Sequence, residues 1–329
     1  MLLCPRAVTA VLAAASAAST LILPVAAARP SKRGLVFTPN VTIPADDKIW
    51  IGEPTTLTWY YNYGPNPESV YQDVPPSEFE FVPMMWGAPD SLDDTSFLST
   101  VKSLINNKGI NITNVLSFNE PDGLFEYGGS QIEPSAAAQL WVNNMIPLQE
   151  MGVHVGLPAC TGGASGLPWL QNFLAECSEL VSSKDKQRNC TFDFVTIHWY
   201  GNFEGLASHM GEYSAAFPNK TMWITEFNLN GQDLEATQSF YNMSTEYFDR
   251  LDFVERYSYF GAFRSNVSNV GPNGTMLSDN GSLTDIGAWY LGRQPTGLLP
   301  TSSSSLHLPL PQKVVAAFAA VVAAAISLA

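Results

Sequence analysis

Two glutamates, each closing an apolar, β-branched run, carry the chemistry that can be read from this chain. Glu120 stands in Ser117-Phe118-Asn119-Glu120-Pro121-Asp122 and Glu226 in Trp223-Ile224-Thr225-Glu226-Phe227-Asn228, 106 positions apart (226 − 120). A strand that ends in a carboxylate lifts it to the rim of a sheet, where a ligand can reach it. Paired carboxylates suit cleavage of a glycosidic bond, one protonating the leaving oxygen and one attacking the sugar. Strands of one parallel barrel end on the same face, so the two groups converge there if both strands belong to it. The plainer alternative for both residues is a structural ion pair at the rim.

The residues at the other strand ends suit a carbohydrate. Strand two leads into Trp59, Tyr60, Tyr61, Asn62 and Tyr63, strand three into Met84, Met85 and Trp86, strand six into His198, Trp199 and Tyr200, and strand eight into Tyr259 and Phe260. Sugar C–H faces stack on rings, and sugar hydroxyls pair with Asn, His and Tyr. Asn119 is placed to bond the sugar 2-hydroxyl, an interaction that strengthens in the transition state. Trp59, Trp86 and Trp199 are read either as stacking platforms or as core. Tyr61 joins the candidate substrate contacts, and His198 is either a contact or a hydrogen-bonded core histidine. His198 and Tyr200 are also candidate donors to a nearby carboxylate. Of the paired carboxylates, one must hold a proton and the other must stay ionised. Glu126 is a candidate sugar contact, Asp122 is expected to order its own loop, and Trp223 is expected in the core.

Eight strand-like runs can position these groups: Gly34–Phe37, Thr56–Tyr61, Phe79–Met85, Asn114–Phe118, Val153–Pro158, Phe192–His198, Met222–Glu226 and Arg256–Ala262. Several are continuously apolar, as strands buried on both faces are. Amphipathic stripes lie between the later ones: Phe97 to Ile105, Leu170 to Cys177, Leu206 to Phe217, a helix around Asn242, and a last helix starting near Ser282. Strand then helix, repeated, implies parallel crossovers. The fold class is therefore α/β, a single (β/α)8 TIM-type barrel over residues 34–292. Pro65, Pro67, Pro75 and Pro76 stand where early helices should be, so helices after the first two strands are expected to be short or missing.

Other chemistries find no support. His154, His198, His209 and His307 lack metal-ligand spacing, and no His-Glu-x-x-His occurs. Gly162-Gly163-Ala164-Ser165-Gly166 is not a nucleophile elbow, and no Gly-rich loop opens a helix. Neither metal nor cofactor is expected. The charge of −14, from 16 basic and 30 acidic residues, repels nucleic acid and anionic lipid and suits a neutral substrate.

Trp59-Tyr60-Tyr61-Asn62, Phe118-Asn119-Glu120-Pro121-Asp122, Ile197-His198-Trp199-Tyr200 and Trp223-Ile224-Thr225-Glu226-Phe227, in that order, resemble the fungal Asl1-like glycosyl hydrolases, glycoside hydrolase family 128. The resemblance covers about Gly34 to Gly292. It implies a retaining endo-β-1,3-glucanase acting on cell-wall type β-1,3-glucan, with Glu120 as acid/base and Glu226 as nucleophile. The stretch between Cys177 and Cys190 is longer than in that pattern. Two alternatives stay open: a surface-anchored β-glucan-binding or sensing protein with little turnover, and a β-glucan transglycosylase.

The ends read as address signals. Arg6 precedes an apolar run to Val25 and Ala26-Ala27-Ala28, so residues 1–28 are read as a signal peptide. Lys32-Arg33 is either a second processing site or a basic linker. Residues 293–313 form a Ser/Pro-containing spacer, and Val314–Ala329 is an apolar tail of roughly 24 Å if helical, short for a bilayer core of about 30 Å. Spacer and tail match a GPI signal whose tail is removed. The alternative is a plain tail anchor. The protein is thus expected at the cell surface or wall, touching membrane only through a lipid anchor, as a monomer. Sequons at Asn40, Asn111, Asn189, Asn219, Asn242, Asn266, Asn273 and Asn280 fit secretion. Cys177 and Cys190 are read as a disulfide, and Cys160 as a buried thiol.

Overall fold

The computed structural model describes residues 31–301; the leader, the tail and most of the Ser-rich segment lie outside that range. The chain alternates strand and helix: β1 Arg33–Val36, β2 Trp59–Tyr61, β3 Glu80–Phe81, α1 Ser96–Asn106, β4 Asn114–Val115, α2 Pro134–Glu150, β5 His154–Val155, α3 Gly166–Val181, β6 Phe194–Tyr200, α4 Phe203–Ala216, β7 Thr221–Asn228, α5 Leu234–Arg250, β8 Val254–Tyr259 and α6 Asp285–Tyr290. Only short 3₁₀ turns, Asp46–Ile51 and Ser69–Tyr71, follow β1 and β2, where proline blocks helix interiors.

All paired strands are parallel, in a six-stranded ladder β3-β2-β1-β8-β7-β6 and a two-stranded ladder β4-β5. Single parallel bridges join the ladders, Met84 to Leu116 between β3 and β4, and Gly156 to Phe194 and Cys160 to Ile197 between β5 and β6. The eight strands thus follow one another in the circuit of a (β/α)8 barrel, with β4 and β5 the most sparingly bonded staves.

Alternation along the strands sorts the apolar residues into two cores. Val36, Trp59, Tyr61, Val82, Met84, Leu116, Phe194 and Trp223 fill the barrel interior. Trp59 packs 5.2 Å from Trp223, which stacks on Phe194 at 4.2 Å. A Cβ at Gly34 would stand 2.1 Å from the Trp59 ring, so glycine is what lets β1 pass this tryptophan. Below them Arg256 of β8 lies 4.4 Å over Trp223 and pairs with Glu80 of β3 at 2.7 Å, linking non-adjacent staves. The second core lies between strands and helices, and includes Trp141, Phe173, Phe227 and Tyr257.

Helix α2 has no counterpart among the expected stripes. It is rich in alanine and holds Pro147, and its buried residues include Ala137, Ala138, Leu140, Trp141, Asn144, Met145 and Leu148, too broad a set for a narrow stripe. Pro134 in its first turn suits the helix start.

Lys32 and Arg33 are built into the barrel. Lys32 Nζ donates to the carbonyls of Phe248 and Leu251 at 2.8 Å, and Arg33 donates to Tyr257 Oη and the Trp289 carbonyl. At the other end, packing continues past Gly292: Arg293 Nε donates to the Pro54 carbonyl and the Pro300 carbonyl accepts from Asp279 N. Cys177 and Cys190 form a disulfide with Cα atoms 5.4 Å apart, and Cys160 is a buried free thiol. Of the eight sequon asparagines, Asn40 and Asn273 are half-buried with Nδ2 donating to Asp46 and to the Gln232 carbonyl; the other six are exposed.

Candidate active site

Glu120 stands just past the C-terminal end of β4, and Glu226 lies within the C-terminal half of β7. Glu120 adopts a left-handed backbone (φ 42°), held by its N–H on the Ala159 carbonyl at 2.6 Å and by its own carbonyl, which accepts from Gly123 N and Ser130 N. Such a backbone is strained for a residue with a side chain and persists only where its surroundings hold it. Asp122 fastens the following loop to the segment between β5 and α3: its carboxylate accepts from Thr161 N at 2.8 Å, Thr161 Oγ1 at 2.6 Å and Ser165 Oγ at 2.7 Å. Asp122→Ala is expected to cost about 2 kcal/mol of stability, since bonds to a charged acceptor are among the stronger ones, and to lower kcat through Glu120. Thermal unfolding and kinetics at 25 °C separate the two effects.

His198 Nδ1 sits between the carboxylates, 3.0 Å from Glu120 Oε1 and 3.6 Å from Glu226 Oε2. One ligating atom from each of the three residues lies within 4.8 Å of the others. Glu226 is 5 % exposed and its oxygens are crowded with donors. Tyr63 Oη donates to Oε1 at 2.6 Å, Tyr200 Oη to Oε2 at 2.5 Å, and Tyr61 Oη lies 3.4 Å from Oε1 while donating to the Thr225 carbonyl at 3.0 Å. One nitrogen and two carboxylates would be a plausible start for a metal site. Glu120 Oε1 and both Glu226 oxygens are engaged by histidine and tyrosine hydrogen bonds.

Burial pushes the Glu226 carboxyl above the ordinary glutamate range and Glu120 adds to this, against the downward pull of His198, Tyr200 and Tyr63. Burial also opposes charge on His198, but the two carboxylates outweigh it and hold its pKa above the ordinary value. Burial and the Glu226 charge raise the hydroxyls of Tyr61, Tyr63 and Tyr200 far up, so all three remain donors.

Several candidates prove to have other places. Trp59 is 1 % exposed and lies in the barrel interior beneath the site, so it offers no face to a sugar. Tyr61 is fully buried and supports Glu226 from below. His198, 1 % exposed, bridges the glutamates rather than facing solvent. Trp199 follows His198 on a strand and so points to the opposite side, against His209 of α4 with ring centroids 5.2 Å apart. Glu126 is exposed in the turn Phe125–Tyr127. Trp86 is half-buried above the interior core, and Tyr200 joins Glu226 as expected. Asn119 is 5 % exposed; its Nδ2 donates to the Gly128 carbonyl and its buried Oδ1 has no partner.

Tyr63 was not singled out from sequence, although Trp59, Tyr61 and Tyr63 alternate with period two and must share a face. Its left-handed backbone (φ 61°) turns the chain at the end of β2. Tyr63→Phe should lower kcat by about tenfold, the loss of one hydrogen bond to a charged acceptor. Without that donor the Glu226 carboxyl rises further, so the acid limb of the pH–rate profile moves to higher pH. An unmoved limb would contradict this role.

A parallel barrel with two carboxylates meeting at the C-terminal ends of β4 and β7 is the architecture of a glycoside hydrolase. The glycosyl hydrolase catalytic core family matches residues 34–290. Alkali-sensitive linkage protein 1 of Schizosaccharomyces pombe is 28% identical over 269 residues, covering 79% of this chain and 44% of that protein, so the chain spans less than half of that relative. Among solved structures, a GH128 subgroup III curdlan-specific exo-β-1,3-glucanase from Blastomyces gilchristii, in complex with glucose, is 28% identical with a TM-score of 0.59, covering 80% of this chain and 99% of that one. A GH128 subgroup II endo-β-1,3-glucanase from Pseudomonas viridiflava is 26% identical with a TM-score of 0.62, covering 80% and 98%. The chain belongs to the glycosyl hydrolase catalytic core family, as an Asl1-like member of glycoside hydrolase family 128.

Proposed function

We propose that the protein is a retaining endo-β-1,3-glucanase, with Glu226 as nucleophile and Glu120 as acid/base. The observation that carries this reading is the convergence of the two carboxylates across His198, with one oxygen of each within 4.8 Å of the other. Retaining pairs stand about 5–5.5 Å apart, whereas inverting pairs need about 6.5–9.5 Å to admit a water. The β-1,3-glucan substrate is inferred from the two solved relatives above 25% identity, one acting in exo and one in endo mode.

In the first step a Glu226 oxygen attacks the anomeric carbon while the C–O bond to the leaving sugar breaks and Glu120 gives that oxygen its proton. Esterification removes the Glu226 charge, and with it the repulsion between the carboxylates. Glu120 can then take a proton from the attacking water, whose oxygen displaces Glu226. The tyrosines hold Glu226 in place, and the unpaired Asn119 Oδ1 can accept from the sugar 2-hydroxyl. Leaving that buried acceptor unpaired is costly, so the bond favours sugar binding.

Nucleophilic attack requires ionised Glu226. As pH falls through its raised pKa the nucleophile is protonated, so the acid limb of the pH–rate profile is expected above about 4.3, the ordinary glutamate value. Purified protein incubated with linear β-1,3-glucan should release a series of oligosaccharides; glucose alone from the first minutes would replace endo with exo action. Products longer than the substrate would make transfer the main reaction, and tight binding without release would leave a glucan-binding protein. Residues 1–28, the spacer and the tail complete the proposal: secretion, and a GPI anchor that holds a monomeric enzyme at the cell surface or wall. Release of active protein from intact cells by a phospholipase specific for such anchors tests this; retention would sink it.

A further inference from the structure

We propose that Asn219 carries an N-linked glycan whose first N-acetylglucosamine docks in a groove between Phe217 and Phe253, fastening the turn from α4 to β7. This rests on the secretion reading above and adds to it a sequon whose sugar the fold uses as part of its own structure.

The segment Phe217-Pro218-Asn219-Lys220-Thr221 sets an aromatic ring two positions before a sequon asparagine and its threonine two positions after. The backbone between them is a tight turn: Lys220 N donates to the Phe217 carbonyl at 3.4 Å, with Pro218 second and Asn219 third. Asn219 takes a left-handed backbone (φ 66°), which the third place of a type II turn requires and asparagine tolerates. The chain is thereby folded back so that Phe217, Asn219 and Thr221 line one groove of about 320 Å³, together with Ser214, Lys220 and Phe253. Small-molecule clefts start at about 300 Å³, so this groove suits one sugar ring rather than a long chain.

Its walls are held before any sugar arrives. Phe217 is half-buried and meets Phe192 edge to face with centroids 5.6 Å apart, and Tyr213 at 6.2 Å. Lys220 Nζ donates to the Phe192 carbonyl at 2.6 Å, and Thr221 Oγ1 donates to Glu255 at 3.2 Å. Phe253, also half-buried, accepts at its carbonyl from Met222 N. Asn219 itself is exposed. Rings fixed in this way lose little freedom on meeting the C–H face of a sugar, and the tether at Asn219 makes the contact intramolecular.

The other sequons lack this arrangement. Of them only Asn242 has an aromatic residue two places before it, and that ring, Phe240, is 3 % exposed within α5, where residues two apart do not face each other. Asn40 and Asn273 have Nδ2 tied to Asp46 and to the Gln232 carbonyl. The groove stands at the N-terminal ends of β7 and β8, on the barrel face opposite the carboxylates, so a glycan there leaves the cleft open. Attachment takes the oligosaccharide from a lipid-linked pyrophosphate donor. The bond from Asn219 Nδ2 to the anomeric carbon forms, the anomeric C–O bond to pyrophosphate breaks, the pyrophosphate leaves with the electron pair, and the amide gives one proton to a base of the transferase.

The test uses the whole chain secreted from a eukaryotic host and, as a sugar-free reference, the same chain from the periplasm of a bacterium that adds no N-glycans. Peptide mass spectrometry after enzymatic deglycosylation in water labelled with heavy oxygen should find the label at Asn219. An unlabelled Asn219 beside other labelled sequons would overturn the proposal and leave secretion standing; no label at any sequon would overturn both. Thr221→Ala removes the sequon and keeps the left-handed asparagine. It should lower the apparent Tm of the glycosylated protein by about 2–4 °C more than that of the periplasmic protein, the worth of one ring contact. That difference should survive trimming of every glycan to a single N-acetylglucosamine, and should vanish when Phe217→Leu is present throughout. No difference between the two hosts, its loss on trimming, or its persistence beside Phe217→Leu would each overturn the docking.

Discussion

Glu226→Ala is expected to lower kcat on β-1,3-glucan by about 10⁵-fold, the order of loss met when a nucleophile that acts as a unit with its partners is removed. Tyr63 and Tyr200 both donate to Glu226, whereas Glu120 bonds His198. The alanine leaves a space on the face from which Glu226 attacked. Azide entering that space should restore turnover of an activated aryl β-glycoside and yield the α-glycosyl azide, because one displacement at the anomeric carbon inverts it. A β-azide would place the nucleophile elsewhere. Failure to fold is checked by glucan binding, which the variant should keep.

Glu120→Ala is expected to cost about 10²–10⁴-fold on glucan, the usual worth of a positioned acid or base. The loss should depend on the leaving group, large for a sugar alkoxide and small for a nitrophenolate that departs unprotonated. The second step then becomes limiting, and azide should attack the glycosyl-enzyme to give the β-glycosyl azide. Opposite azide anomers from the two alanine variants would assign the two roles without reference to any relative. Equal losses on both leaving groups would instead make Glu120 a positioning residue for Glu226 through His198.

The eight strands and the two glutamates were legible in the sequence because buried parallel strands are written as apolar runs, and a carboxylate closing such a run is conspicuous. Their depth was not legible. Trp59, Tyr61 and Tyr63 face the same interior, yet they fall in successive layers: Trp59 packs with Trp223, Tyr61 supports Glu226 from below, and Tyr63 bonds it near the rim. Residue type alone left Trp59 open between stacking platform and core and put Tyr61 among the substrate contacts. Period two does separate His198 from Trp199, and applied strictly it would have turned Trp199 outward. Helix α2 was hidden by its alanines and Pro147, which blur an amphipathic stripe. The protonation of Glu226 was hidden as well, because it depends on burial: the residue expected as plainly ionised has its carboxyl pushed upward by burial.

That upward push makes the tyrosine cluster more than scaffolding. Desolvation alone would favour neutral Glu226, and each donor on its oxygens works against this. The strained Glu120 backbone and the Asp122 fastening do the corresponding work on the other side of the cleft, setting position rather than charge.

Proton NMR of the first products released from a β-1,3-glucan oligosaccharide, recorded before mutarotation equilibrates the anomers, decides whether the two glutamates act by double displacement. The β-anomer should appear first and the α-anomer should follow only at the rate of mutarotation. An α-anomer formed first would mean inversion, with water and not Glu226 as the attacking group, and the mechanism built on these two carboxylates would be wrong.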